Sequence, residues 1–349
     1  MKRFFLLLLL AGNTPAAFTQ VQPSLLVSGC PDSKSVVAMN YKTQTLIWLD
    51  IQKETGKESV IGPVASEGFA SMTVLNDSLV LLSGKHIYNY RSGSKLASPD
   101  GSLFCSPSGK KLYRLKDGLI SELGMNGQEN GSKTTLTGLS GTVIHNLIRI
   151  NETGTYAAIA AATGKKGVSI FIADLKQQKI IKEFDDFKEG GGSKSVEFLD
   201  ISPDGSQLIA GNSKSVKLYN TSTGKEIGEF EEMPKNNRVD FKQASFAADG
   251  KMARILSAYK IYTLNTAKFE AEENIVVSNN IHITRWNDKY GLTHKEKVKI
   301  TTDYFWYTYT VMADNKYIIG IAKHKKDDDY ILYYMFLGEG GIGNKNMAL

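Results

Sequence analysis

One stretch constrains the fold more than any other. Residues 198–230 read FLDISPDGSQLIAGNSKSVKLYNTSTGKEIGEF, four short apolar segments separated by three turns. The turns are Ser202-Pro203-Asp204-Gly205, Asn212-Ser213-Lys214 and Thr223-Gly224-Lys225. Gly205 and Gly224 permit positive φ, Pro203 presets φ early in its turn, and Asp204 and Asn212 can hydrogen-bond their own backbone. Between the turns, Gln207-Leu208-Ile209-Ala210 and Val216-Lys217-Leu218-Tyr219 are short and rich in branched or aromatic residues, as buried strands are. A helix needs apolar spacing of three and four sustained over ten or more residues, and the stretch has none. Val216 and Leu218 alternate with Lys217, which predicts one apolar face and one wet face. Four strands joined by hairpins in so few residues make one blade of a β-propeller.

Weaker copies recur along the chain. The turn after each blade's first strand is matched by Pro31-Asp32-Ser33, Asn76-Asp77-Ser78, Pro107-Ser108-Gly109, Glu152-Thr153-Gly154, Pro203-Asp204-Gly205, Ala248-Asp249-Gly250 and Ala313-Asp314-Asn315. From Asp32 through Asp77, Ser108, Thr153, Asp204 and Asp249 to Asp314 the intervals are 45, 31, 45, 51, 45 and 65 residues. Seven anchors at such a period predict an all-β chain, a seven-bladed β-propeller of four-stranded antiparallel blades. A length of 349 residues exceeds the usual single domain, but closed repeat folds often do, so residues 21–349 are read as one domain.

Expected strands in the first blade are 25–27, 36–39, 46–51 and 59–61, and in the second 69–75, 79–82, 86–90 and a weak one near Leu96. The third begins at Leu103, has a hairpin of 112–115 with 119–123 around Lys116-Asp117-Gly118, and ends at 133–136. The fourth holds 144–150, 156–161, 168–173 and 179–184, and the sixth 240–246, 253–257, 260–264 and 273–277. The seventh is expected to open at 281–285, with extra sequence at 286–301 and later strands at 304–312, 317–322 and 330–336. Long connections between repeats tend to carry function, so this extra sequence is the first choice for a binding surface.

The chain resembles bacterial WD40-like and YVTN-type repeat propellers. The likeness rests on Ser202-Pro203-Asp204-Gly205, Leu208-Ile209-Ala210, Ser215-Val216-Lys217-Leu218-Tyr219 and Thr223-Gly224-Lys225. It is echoed in Asn151-Glu152-Thr153-Gly154 with Val168-Ser169-Ile170-Phe171, and in Ala248-Asp249-Gly250 with Lys260-Ile261-Tyr262. The resemblance implies a propeller fold over the mature chain and no particular activity. Neither a Gly-His pair nor a Trp-Asp dipeptide occurs, so the hydrogen-bonded constellation of WD40 blades is missing.

The first twenty residues read as a secretory signal: Lys2 and Arg3, an apolar run from Phe4 to Ala11, and a small-residue region cleaved between Ala16 and Gln20. That run is too short to span a bilayer, and no later stretch approaches the roughly 18 apolar residues a span requires. A periplasmic or extracellular location follows. Without Lys2 and Arg3 the formal charge falls from +6 to +4, and the remaining lysines are scattered, which argues against nucleic-acid binding. Leu26-Val27-Ser28-Gly29-Cys30 matches a bacterial lipoprotein signal, but it lies well beyond the apolar run; the segment is read as the first strand rather than a lipid anchor at Cys30. An exported chain permits a disulfide, yet nothing in the sequence pairs Cys30 with Cys105.

No signature of catalysis stands out. His86, His145, His282, His294 and His324 lack metal-ligand spacing, and no Gly-x-Ser-x-Gly elbow is present. The glycines at 190–192 lack a following Gly-Lys-Ser/Thr and read as a linker. Residues 325–329, Lys-Lys-Asp-Asp-Asp, read as a hairpin tip rather than a calcium loop. The aromatic run Tyr304-Phe305-Trp306-Tyr307-Thr308-Tyr309 is the sharpest candidate, with Phe305, Tyr307 and Tyr309 expected on one face and Tyr304, Trp306 and Thr308 on the other. Trp286, Tyr290, Tyr304 and Trp306 are therefore the candidate binding residues. The expected function is a binding or scaffolding module for a protein, peptide or glycan, with no cofactor identifiable. The alternative is a propeller enzyme, lactonase-like or quinoprotein-like, with its site over the central channel.

Overall fold

Alternation of apolar residues with turn residues produces strands throughout the computed structural model. The structure describes residues 25–30, 35–40, 44–50, 55–61, 71–164, 167–188, 196–231, 241–247, 249–257, 261–274, 282–287, 291–297, 304–311, 317–324 and 330–336. From residue 282 onward the description concerns the backbone alone. The expected signal at 1–20, the glycines at 190–192, Tyr290 and the 325–329 tip lie outside the described residues.

The first sheet contains β1 (Leu25–Gly29), β2 (Ser35–Asn40), β3 (Thr45–Asp50) and β4 (Thr55–Val60). The second contains β5 (Met72–Val74), β6 (Leu79–Leu82), β7 (His86–Asn89) and β8 (Lys95–Ala97), and the third β9 (Ser102–Cys105), β10 (Leu112–Lys116), β11 (Leu119–Leu123) and β12 (Glu129–Thr135). In the fourth are β13 (Thr142–Ile150), β14 (Tyr156–Gly164), β15 (Gly167–Asp174) and β16 (Lys179–Lys188). The fifth has β17 (Phe198–Ile201), β18 (Gln207–Gly211), β19 (Val216–Asn220) and β20 (Glu226–Phe230), and the sixth β21 (Phe241–Phe246), β22 (Met252–Ser257), β23 (Ile261–Asn265) and β24 (Glu270–Asn274). The last stretch supplies β25 (His282–Asn287), β26 (Gly291–Lys297), β27 (Tyr304–Val311), β28 (Tyr317–His324) and β29 (Tyr330–Phe336).

Each of the first six sheets is a meander of four antiparallel strands in sequence order. The short interval before the third sheet therefore still accommodates four strands. The expectation of seven four-stranded sheets is corrected at the C-terminus: the remaining sheet has five strands in the order β26-β25-β29-β28-β27. The segment expected to open this sheet, β25, is its second strand from one edge, and β27 lies at the other edge. Its residues pair with β29 from His282↔Tyr334 to Trp286↔Tyr330. Part of the extra sequence at 286–301 forms β26, paired with β25.

The two faces of a sheet feed two different cores. In the fourth sheet, Ile148, Ile150, Ala157, Ile159 and Ala173 pack against Phe104, Tyr113 and Leu115 of the third. Leu147, Ala158, Ala160, Ile170 and Ile172, on the opposite face, pack against Leu199, Ile201, Leu208 and Ala210 of the fifth. Phe198, Ile209, Val216 and Leu218 then meet Phe241, Ala244 and Ile255 of the sixth. Burial on both faces explains why these strands read as nearly continuous apolar runs. It also corrects the wet face expected beside Lys217. Only the outer margin is solvated there, and Lys217 spans it by pairing with Glu226 at 2.9 Å and Glu229 at 3.3 Å.

First strands lie beside first strands from sheet to sheet: β1 by β5, β9 by β13, β13 by β17 and β17 by β21. At the far end of the chain β1 also lies alongside β27 and β28. Turns lock neighbouring sheets together. Gly205 has φ of 75°, and a Cβ there would collide with the Tyr156 ring of the preceding sheet. Asn151 accepts from the backbone N–H groups of Thr155 and Tyr156 at 2.9 and 3.0 Å, while its amide donates to the Pro203 carbonyl at 2.8 Å.

Candidate functional site

Of the four sequence-derived candidates, the three that lie within the described residues are on two strands of the C-terminal sheet. Trp286 lies on β25, Tyr304 and Trp306 lie on β27, and Tyr290 is outside the described residues. Two strands separate β25 from β27, so their backbones are about 14 Å apart at sheet spacing. Trp286 shares a row with Tyr330, Lys323 and Phe305, whereas Trp306 shares the adjacent row with Ala322, Ile331 and Arg285. Adjacent rows of a pleated sheet belong to opposite faces. The register also shifts between Trp306 and Thr308, so the expected alternation through Tyr307 is broken. Phe305 pairs with Lys323 and Tyr309 with Gly320, an odd offset that puts them in rows of opposite parity.

Sequence reasoning missed a second location, on the first strand of each sheet. The position four residues before the turn anchor carries Ser28, Thr73, Phe104, Arg149, Asp200 and Ser245 through the first six sheets. Ser28 Oγ accepts from the Val74 N–H at 3.2 Å, joining the first and second sheets. Asp200 Oδ2 accepts from the Phe246 N–H at 2.9 Å, the same bond between the fifth and sixth. The counterpart amide in the fifth sheet is that of Ile201, and Arg149 of the fourth has no acceptor to offer it. Asp200 caps this amide itself, through Oδ1 at 2.9 Å. One carboxylate thus does the work of two side chains. Burial pushes the Asp200 carboxyl up to about 6, against the opposing pull of the two amides and the Arg149 charge.

Arg149 is the only cation in that set of six. Its Nη1 donates to the carbonyls of Ile148 at 2.8 Å and Asn146 at 3.2 Å, which pins the half-buried guanidinium to its own strand. Nearby Cys105 is a free thiol pushed up to about 11 by burial, with Arg149 partly offsetting the shift. Further along β13, His145 Nδ1 shares a 2.6 Å hydrogen bond with the buried Ser102 Oγ of the third sheet.

The Cys30 thiol is buried, 1% exposed, with Sγ 3.9 Å from the Tyr90 hydroxyl. A core position of this kind fits the first-strand reading of the lipoprotein-like segment. Between the third and fourth sheets, Lys111, Tyr113, Glu122, Thr153 and Lys176 line a small polar cleft of about 200 Å³. Among the described residues, no group of three or more His, Cys, Asp or Glu side chains is placed to hold a metal ion. No helix among them is long and apolar enough to cross a membrane.

Successive four-stranded antiparallel sheets packed face to face place the chain in the β-propeller-like, all-β class. Among solved structures it is similar to a propeller chain of hydrazine synthase from Kuenenia stuttgartiensis, with 15% identity and a TM-score of 0.51. The match covers 74% of this chain and 81% of that one, and at this identity it speaks for the fold alone. No protein-family model and no curated protein matches the sequence.

Proposed function

We propose that the chain is an exported, seven-bladed propeller of WD40-like repeat type that serves as a binding or scaffolding module for a protein, peptide or glycan. The ring closes by packing of the first blade on the last, a reading supported by the position of β1 alongside β27 and β28. One observation carries the choice of binding over catalysis. The half-buried carboxylate on an innermost strand, Asp200, spends both oxygens on backbone amides of adjoining blades, as a joint does and a general base does not. The alternative, a lactonase-like or quinoprotein-like enzyme, requires free carboxylates or a cofactor at the inner strands.

The test uses the chain purified from its exporting host. Amino-terminal sequencing is expected to begin within residues 17–21. Peptide and glycan arrays are expected to give a saturable ligand. Stoichiometric bound metal together with turnover of a lactone series overturns the binding-module reading.

A further inference from the structure

We propose that Arg149 is a recognition residue for a carboxylate group on the ligand, presented at the inner edge between the fourth and fifth sheets. The inference deepens the binding-module reading and rests on it. A half-buried guanidinium is normally paired, because the desolvation of its charge must be offset. Here Nη1 is consumed by two carbonyls of the same strand, while Nε and Nη2 have no acceptor among the described residues. The nearest carboxylate of an innermost strand, Asp200, does not close the gap: its oxygens are held by the Ile201 and Phe246 amides. What remains is the side-on fork of an arginine, with its plane fixed by the protein. That geometry matches two parallel oxygens of one anion.

The chemistry of the neighbours narrows the anion. The Asp200 carboxylate repels a dianion more than a monoanion, which favours carboxylate over phosphate. Sequence placement agrees, because Arg149 stands where Ser28 and Asp200 serve as acceptors for the next sheet's amide, a role a guanidinium cannot fill. Among the described residues this inter-sheet bond is made by Ser28 and Asp200, and Arg149 stands at the position whose neighbouring amide Asp200 caps itself.

The experiment follows the ¹⁵N–¹H signal of the Arg149 Nε, assigned by its loss in Arg149→Lys, during titration of the wild-type chain with sodium acetate. Chloride at matched ionic strength and inorganic phosphate are run alongside, with the Arg91 and Arg114 signals as internal references. Acetate is expected to move the Arg149 signal saturably, with a midpoint on the order of 10 mM, and to leave the references in place. N-acetylglutamate and glucuronate then separate a peptide source of the carboxylate from a glycan source, the tighter of the two naming it. No saturable shift, an equal shift with chloride, or a stronger response to phosphate overturns the proposal. Array ligands that bind wild type and R149Q equally would sink this inference and leave the module standing. Lactone turnover with an acetate-responsive Arg149 would do the reverse.

Discussion

Asp200 shows how one side chain can carry the strain of its neighbours' identities. Its carboxyl titrates at about 6 in the folded chain, whereas an unfolded aspartate titrates near about 3.9. Between those values the folded state retains a proton that the unfolded state has released. The stability this group contributes is full below pH of about 4 and is lost as pH rises through about 6. Asp200→Asn cannot titrate and offers only one acceptor oxygen for two amides. The variant is expected to lose about 1–3 kcal/mol and to show a flatter stability profile than wild type between pH 4 and 7. Urea denaturation of both proteins at several pH values reads this directly, and parallel profiles would remove Asp200 from the account. The residue was invisible in the sequence for a physical reason. In a strand read by alternation, an aspartate between Leu199 and Ile201 looks solvent-facing, and only the arrival of a neighbouring amide from β21 reveals its task.

Turns and strands are the scale at which the sequence was most legible. The turn chemistry of Ser202-Pro203-Asp204-Gly205 and its copies located the first six sheets because the hydrogen bonds that shape the described turns are local. Asp204 Oδ1, for example, accepts from the Ser202 hydroxyl at 2.6 Å and the Ser206 amide at 3.0 Å. The seventh sheet was misread because pairing partners are not local. Nothing in the pattern of β25 says that it joins β29 and not β27. Gly205 combines a local and a non-local demand, and the two can be separated. Gly205→Ala meets both the penalty of φ at 75° and the collision with Tyr156, so a loss of about 2 kcal/mol or more is expected. In a Tyr156→Ala background the added cost should fall to about 1 kcal/mol, the φ penalty alone. A double-mutant cycle by chemical denaturation measures the difference. Equal costs in the two backgrounds would show that the turn does not lean on the preceding sheet.

Across the whole molecule, packing is shared between sheets, and the second to fifth sheets each have a neighbour on both faces. The first sheet makes the point. Val37, Met39 and Leu46 pack toward the second sheet, whereas Val36, Ala38 and Ile47 are equally buried and take no part in that cluster. The strands β27 and β28 lie alongside β1, so the C-terminal sheet is the element positioned to cover this second set. Among the described strands none pairs across the first and C-terminal sheets, so the contact between these two sheets depends on apolar area. A chain ended after residue 280 is therefore expected to expose Val36, Ala38 and Ile47. Their burial is worth about 4 kcal/mol in total, which should appear as a lower melting temperature, dye binding by exposed apolar surface and faster amide exchange in β2 and β3. The fourth sheet keeps both neighbours, so β14 and β15 should remain protected. Uniform loss of protection through all six remaining sheets would instead mean that they unfold as a single unit, and unchanged protection in β2 would mean that the C-terminal sheet does not cover the first.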